Sequence, residues 1–280
     1  MAGMGKGYVH ASNYAAKLRK WDKLSPSQQE ALLGLAPVYH QYVEGNNLVQ
    51  GYSHEAIRKR VHLLNTYYNY IREKRYDNVF SAQGKFRPSI LEEFMFILLK
   101  DYLRDVKAQN GIDDDRIAMG GQRAYTNLMF SGKDFSAFVN SPQMDINEKD
   151  QDFAIYRPVT IQIDEGDRRR ANLPIVAIEN KTYLDKTMLE GAMSTAEKIK
   201  AGNPYAMYVV VTEHYDVSLD VDPVYSRIDQ IYVLRKNRSK EAHRDIDADV
   251  VIGLFEDIKR HIERPWSDVR KRMEDNGVLM

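Results

Sequence analysis

The sequence predicts an α/β protein: a mixed β-sheet with helices on both faces, preceded by a helical N-terminal region. Three observations carry this. Apolar residues recur at helical spacing up to about residue 80, and strand-like runs begin only after about residue 115. From there strand and helix patterns alternate to the end, the order that builds a sheet covered on both sides.

Ser25-Pro26-Ser27-Gln28 combines a capping serine, proline at the first helical position and glutamine three residues on, which marks a helix start. Ser53 opens a longer helix with Ile57, Val61, Leu64, Tyr68 and Ile71 on one stripe. Gly45-Asn46-Asn47 predicts a turn between the two. A further helix follows Pro88-Ser89, and its segment 91–105 is apolar almost all round, so it is expected to pack buried against the sheet. Short strands are predicted at 152–157 and 174–181, dense in β-branched and aromatic residues. Residues 185–202 read as a helix capped by Asp185 and stopped by Gly202, with Met188, Leu189, Ala192, Met193, Ala196 and Ile199 on one face. The continuous apolar run at 205–212 predicts a strand covered on both faces, and 230–234 predicts another. A last helix at about 247–263 turns Val250, Leu254, Phe255, Ile258 and Ile262 inward.

Composition narrows the function classes. Apolar residues make up 43% of the chain, enough for a sizeable core, and no run approaches the roughly 18 apolar residues of a membrane span. The first residues lack the apolar stretch of a signal peptide, so a cytoplasmic protein is expected. The absence of cysteine removes disulfides, thiolate metal sites and cysteine nucleophiles. Forty basic residues balance 40 acidic ones, which counts against a general nucleic-acid affinity but leaves room for a local basic cleft. The 18 tyrosines are expected to pack amphipathically with their hydroxyls at the surface. The seven histidines form no HExxH or close ligand pair and are expected at the surface or in caps, with His214 near enough to a central strand to reach a site there. No phosphate-binding loop or nucleophile elbow occurs, so neither a nucleotide cofactor nor serine hydrolase chemistry is expected.

The chemistry concentrates between residues 145 and 186. A two-residue turn centred on Glu165-Gly166 folds this segment into a hairpin and sets Asp152 opposite Glu179. Opposed Cβ atoms lie about 4.5–5.5 Å apart, so the two carboxylates share a face. Lys181, two residues on, has its amine on that face as well. Asp164 and Asp167 sit at the turn, about 40 Å from Glu179 along an extended strand. Asp150 is the rival acid, since a slip of two residues brings it to Lys181. Two converging carboxylates suit a hard divalent cation, magnesium being usual beside phosphate, and the Asn180 carbonyl offers a third oxygen. A lysine alongside can orient or deprotonate an attacking water. An ordinary surface pair explains an isolated E-x-K better. Here the strand leading into it reads as interior, and buried charges are seldom left without a partner.

The stretch 175–213, with 86–103 and 121–130, resembles Type II restriction endonucleases related to BbvCI and Bpu10I. The resemblance spans about 85 to 235. It implies a restriction-endonuclease-like PD-(D/E)XK core, a Mg²⁺ requirement and cleavage of short double-stranded DNA sites, with Asp152, Glu179 and Lys181 as the motif residues. It also implies an assisting glutamate on the helix before the sheet, Glu92 or its neighbour Glu93, and a subunit that works as a homodimer or with a different, related subunit. Gln151 stands where the motif's name has proline. On this reading residues 1–84 serve DNA recognition or dimerisation and residues 85–280 form the nuclease core.

Several features fit DNA as partner. Gly120-Gly121-Gln122-Arg123 reads as a flexible polar loop, and Gln or Arg can read base edges in the major groove. Gln122, Arg123, Lys133 and Arg157 are the candidate DNA contacts. Arg168-Arg169-Arg170 at the hairpin tip could grip phosphates, although a solvated charged ribbon explains it better. Lys17, Arg19, Lys20, Arg58, Lys59 and Arg60 alternate with aromatics and suit a DNA clamp or the polar faces of a dimerisation region. The rival functions are a repair or junction nuclease of the same superfamily and a DNA-binding module without turnover.

Overall fold

A computed structural model describes residues 7–72, 86–162, 166, 168–264, 266 and 269–277. Three helices form the N-terminal region: α1 (Val9–Leu18), α2 (Pro26–Leu48) and α3 (His54–Ile71). The long helix α4 (Pro88–Asn110) leads into β1 (Ala118–Ser131), the short α5 (Phe135–Asn140), β2 (Gln143–Ile161) and β3 (Arg169–Leu184). Then come α6 (Lys186–Gly202), β4 (Met207–Tyr215), β5 (Gln230–Val233), α7 (Ala248–Glu263) and α8 (Val269–Asn276).

The five strands lie in chain order, β1-β2-β3-β4-β5. The first three form an antiparallel meander, while β3, β4 and β5 run parallel. The sheet is therefore mixed, as predicted, and α6 is the crossover that parallel neighbours require. Leu189, Ala192, Ala196 and Ile199 of α6 cover one face, against Ala177, Tyr208 and Val210. The other face, with Phe153, Ile155, Val176, Ile178, Val209 and Val211, lies under α4 and α7. The same apolar cluster continues into α1, α2 and α3 through Tyr14, Leu35, Tyr39, Leu64 and Tyr67. One apolar cluster thus contains described residues from both sides of the 84/85 boundary.

The local signals that worked are visible as bonds. The Ser25 hydroxyl accepts the Gln28 N–H and the Gln28 side chain accepts the Ser25 N–H, a complete capping box. The Asp185 carboxylate caps α6 through the Met188 N–H at 2.8 Å.

Other expectations are corrected. Gly45-Asn46-Asn47 is not a turn, because α2 runs through it to Leu48. A Cβ on Gly45 would meet the Leu63 side chain at 2.8 Å, so this glycine permits close packing on α3. Asn46 bonds back to the Tyr42 carbonyl, and Arg60 takes the carbonyls of Asn46, Val49 and Gly51, completing the helix end from outside. The helix α6 does end at Gly202, but the reason is packing: a Cβ there would meet the Thr126 carbonyl oxygen at 1.8 Å, so the glycine lets α6 approach β1. Gly120-Gly121-Gln122-Arg123 lies inside β1 and is not a loop, with a register shift between Gly120 and Gln122. The strands are long: β2 has 19 residues and β3 has 16.

The tyrosine and histidine expectations also change. Tyr14, Tyr39, Tyr67, Tyr68 and Tyr208 are fully buried with their hydroxyls inside. His10 is a core residue, bonded to the Tyr67 hydroxyl at 2.7 Å and the Ser89 hydroxyl at 2.9 Å. Burial pushes its imidazole down to about 3, so it is neutral. His261 is buried as well, and desolvation lowers it to about 4. Among the described residues no helix is long and apolar enough to cross a membrane.

Candidate active site

The β2–β3 ladder starts at Ile161 and Arg169 and ends at Phe153 and Ile178. Near its start the pairing is one residue off the predicted hairpin register, as in Tyr156 with Pro174. A bulge there leaves Ile175 as the extra residue, and from Ile155 with Val176 onward the pairing is the predicted one. The acids Asp164 and Asp167 and the turn residue Glu165 lie outside the described residues.

Beyond Phe153 the two strands part company. β2 continues with β1, Gln151 pairing with Gln122, while β3 continues with β4, Glu179 pairing with Val210. Asp152 and Glu179 stand at this fork. The Asp152 carboxylate fills the gap by accepting the Asn180 N–H at 2.8 Å. Within one strand residue the N–H and C=O point to the same side, so the Asn180 carbonyl also faces Asp152. Burial is the main influence on Asp152 and raises its carboxyl above the usual range, against the Asn180 N–H and the Lys181 charge, which lower it.

Glu179 is held at both oxygens. Its Oε1 pairs with the Lys181 ammonium at 2.8 Å, and its Oε2 accepts the Tyr208 hydroxyl. Both members of the ion pair are largely shielded from solvent, at 28% and 19% exposure for Lys181 and Glu179. Burial works to lower the lysine, but the Glu179 charge and hydrogen bond outweigh it and leave the ammonium raised. Asp152, Glu179 and Lys181 thus lie together at the fork, with Asp152 bonded to the Asn180 N–H where the hairpin reading set it in register opposite Glu179.

The rival acid is accounted for. Asp150 pairs in register with Arg123 and is 91% exposed, with that arginine 3.5 Å away. Of the remaining candidates, Gln122 and Arg123 lie on β1 beside the fork, Arg123 exposed. Lys133 follows β1, about 36 Å from Gln122 at the rise of an extended chain. Arg157 is exposed five residues from Asp152 in the other direction and borders a cavity of about 390 Å³ with Arg116 and Ile175. The structure therefore spreads these four along β1 and β2. His214 bonds Asn237 at 2.8 Å and pairs in register with Tyr183, beyond Lys181 along the strands. Arg168 bonds the Gln162 side chain.

The glutamates of α4 have different surroundings. Glu93 is fully buried and accepts the Ala11 N–H at 3.0 Å and the Tyr39 hydroxyl at 2.7 Å, so it ties α4 to α1 and α2. Glu92 is half-buried on a helix that covers the face of the sheet opposite Glu179 and Tyr208.

Tyr208 is the site residue that sequence pattern did not single out. The available signal was a hydroxyl in the middle of a wholly apolar strand, where a phenol needs a partner.

The family model for the Bpu10I restriction endonuclease matches residues 83–251. The chain belongs to the Bpu10I restriction endonuclease family. It is a Type II restriction endonuclease, an enzyme that hydrolyses DNA. The solved structure of the native BbvCI A2B2 tetramer has the same fold, with a TM-score of 0.71 and 22% identity over 93% of this chain and 97% of that one. No curated protein matches. The match begins near α4 and ends within α7, so it contains Asp152, Glu179, Lys181 and Tyr208.

Proposed function

We propose that this endonuclease cuts DNA at one PD-(D/E)XK centre per chain, with Asp152 and Glu179 as acid ligands of Mg²⁺ and Lys181 beside the attacking water. The observation that carries the reading is the fork, where a buried aspartate, a glutamate and a lysine from two diverging strands meet. The donor set fits a hard cation. Among the described residues no three His, Cys, Asp or Glu side chains are gathered to hold a metal. Two carboxylates and the Asn180 carbonyl leave the other positions to water and phosphate, as magnesium prefers. Held by Asp152, Glu179 and the Asn180 carbonyl, a magnesium ion would supply a water of lowered pKa and positive charge beside the scissile phosphate.

The chain's own residues do the rest. Lys181 keeps its proton in the resting state and leaves its pairing with Glu179 to contact the water or the phosphate oxygen. The Asn180 N–H orients the Asp152 carboxylate. Gln122 and Arg123 are the proposed base contacts because they adjoin the fork, and Lys133 and Arg157 the phosphate contacts farther along. Glu92 lies on the other face of the sheet, and the proposed mechanism does not require it. A single centre cuts one strand, so a double-strand break calls for a second subunit, identical or related; the A2B2 assembly of BbvCI supports that arrangement. The enzyme works in the cytoplasm on double-stranded DNA.

The test is digestion of a sequenced plasmid by the purified chain with Mg²⁺, followed by end mapping. Discrete ends are expected. Glu179→Ala and Lys181→Ala should each lose about 10²–10³-fold in single-turnover rate while keeping fold and DNA binding. Wild-type rates in both variants would sink the assignment, and structure-dependent nicking in place of discrete ends would favour a repair nuclease.

A further inference from the structure

The Tyr208 hydroxyl sits where a buried carboxylate has to be steered. In the parallel β3–β4 pair Tyr208 lies opposite Ala177, and Glu179 is two residues farther along the same face. The phenol reaches diagonally and donates to Glu179 Oε2. Tyr208 is fully buried, and Thr195 of α6, whose hydroxyl donates to the Gly191 carbonyl at 3.0 Å, lies beside the phenol. The single phenolic proton is directed at Glu179, so Tyr208 acts as the donor in this pair.

The two bonds on Glu179 differ in kind. Lys181 is a flexible, partly exposed partner on Oε1 that can be exchanged. Tyr208 is packed between the sheet and α6 and cannot turn away without opening that layer. We propose that Tyr208 is a positioning residue of the nuclease centre: it anchors Oε2 so that Oε1 stays turned toward Lys181 and Asp152, ready for the divalent cation. The inference rests on the triad reading of the previous subsection. Groups that orient a metal ligand in this way typically change metal affinity or activity by about 10–100-fold when removed.

The experiment compares wild type, Tyr208→Phe, Thr195→Val and Glu179→Ala in three measurements on the full chain. These are Mn²⁺ binding by calorimetry without DNA, DNA binding in Ca²⁺, and single-turnover cleavage across a Mg²⁺ series. Tyr208→Phe is expected to weaken Mn²⁺ binding about tenfold and to move the Mg²⁺ midpoint of cleavage up by a similar factor. Its DNA affinity and its rate at saturating Mg²⁺ should stay within about threefold of wild type, a split that a merely structural role would not produce. Thr195→Val should shift the midpoint in the same direction by less, and it decides the matter alone if Tyr208→Phe does not fold. Metal curves that superimpose on wild type overturn the inference. If Glu179→Ala also binds Mn²⁺ and cleaves normally, the triad reading fails; if Glu179→Ala is dead and only the tyrosine variants are normal, the positioning role fails.

Discussion

At Gly202 a single hydrogen stands between α6 and the backbone of β1. A methyl group there meets the Thr126 carbonyl, which is main chain and has no rotamer to yield. Gly202→Ala is therefore expected to lower stability by about 1–3 kcal/mol, read as a drop in thermal midpoint. Arg235 makes the opposite point about charge. Its guanidinium, 2% exposed, bonds Glu213 at 2.7 and 2.8 Å and the Arg244 carbonyl at 2.6 Å, and it lies over the Tyr68 ring. Arg235→Ala leaves Glu213 buried without its partner and should cost about 3–5 kcal/mol in urea unfolding, whereas the exposed Arg123–Asp150 pair should contribute under about 1 kcal/mol. The triad was legible at this scale because hairpin pairing and strand alternation are arithmetic on residue numbers. Tyr208 was not, since its role depends on a diagonal contact across a parallel pair that no local pattern specifies.

Helices α1, α2 and α4 are tied together by one carboxyl group. Burial lifts Glu93 to about 7 from an ordinary value of 4.5. Below pH 4.5 both the folded and unfolded chains carry the proton, and nothing is lost. Between pH 4.5 and about 7 the unfolded chain releases it while the folded chain keeps it, so stability falls as pH rises. The loss amounts to about 3 kcal/mol over that interval. Glu93→Gln should remove this component, so the gap in unfolding free energy between variant and wild type should change with pH in that sense; a constant gap would refute it. At the scale of elements the sequence was readable where caps and apolar stripes were local, as at Ser25, Asp185 and the buried stretch of α4. It misled at Gly45 and Gly120, where residues with turn chemistry lie inside a helix and a strand. In both places a neighbouring element decides the conformation: Leu63 and Arg60 of α3 for the first, the β2 ladder for the second.

The proposed single cutting centre per chain, at Asp152, Glu179 and Lys181, has a consequence for how the molecule is counted on DNA. Mixing an excess of Lys181→Ala chains with wild type should convert linear plasmid products into nicked circles, because each assembly then carries one working centre. Linear product surviving in proportion to wild type alone would show that each chain cuts both strands. The layered architecture was legible from the order of patterns along the chain. The merging of residues 7–72 with the sheet layer was not, since both parts show apolar stripes whether they face each other or remain separate. That merging has a practical side for engineering. The matched segment 83–251 is not a portable cutting cartridge: fused to another DNA-binding protein without α1, α2 and α3, it would expose one wall of its own interior and aggregate in place of cutting. A chimera built from this enzyme has to carry the whole front end along.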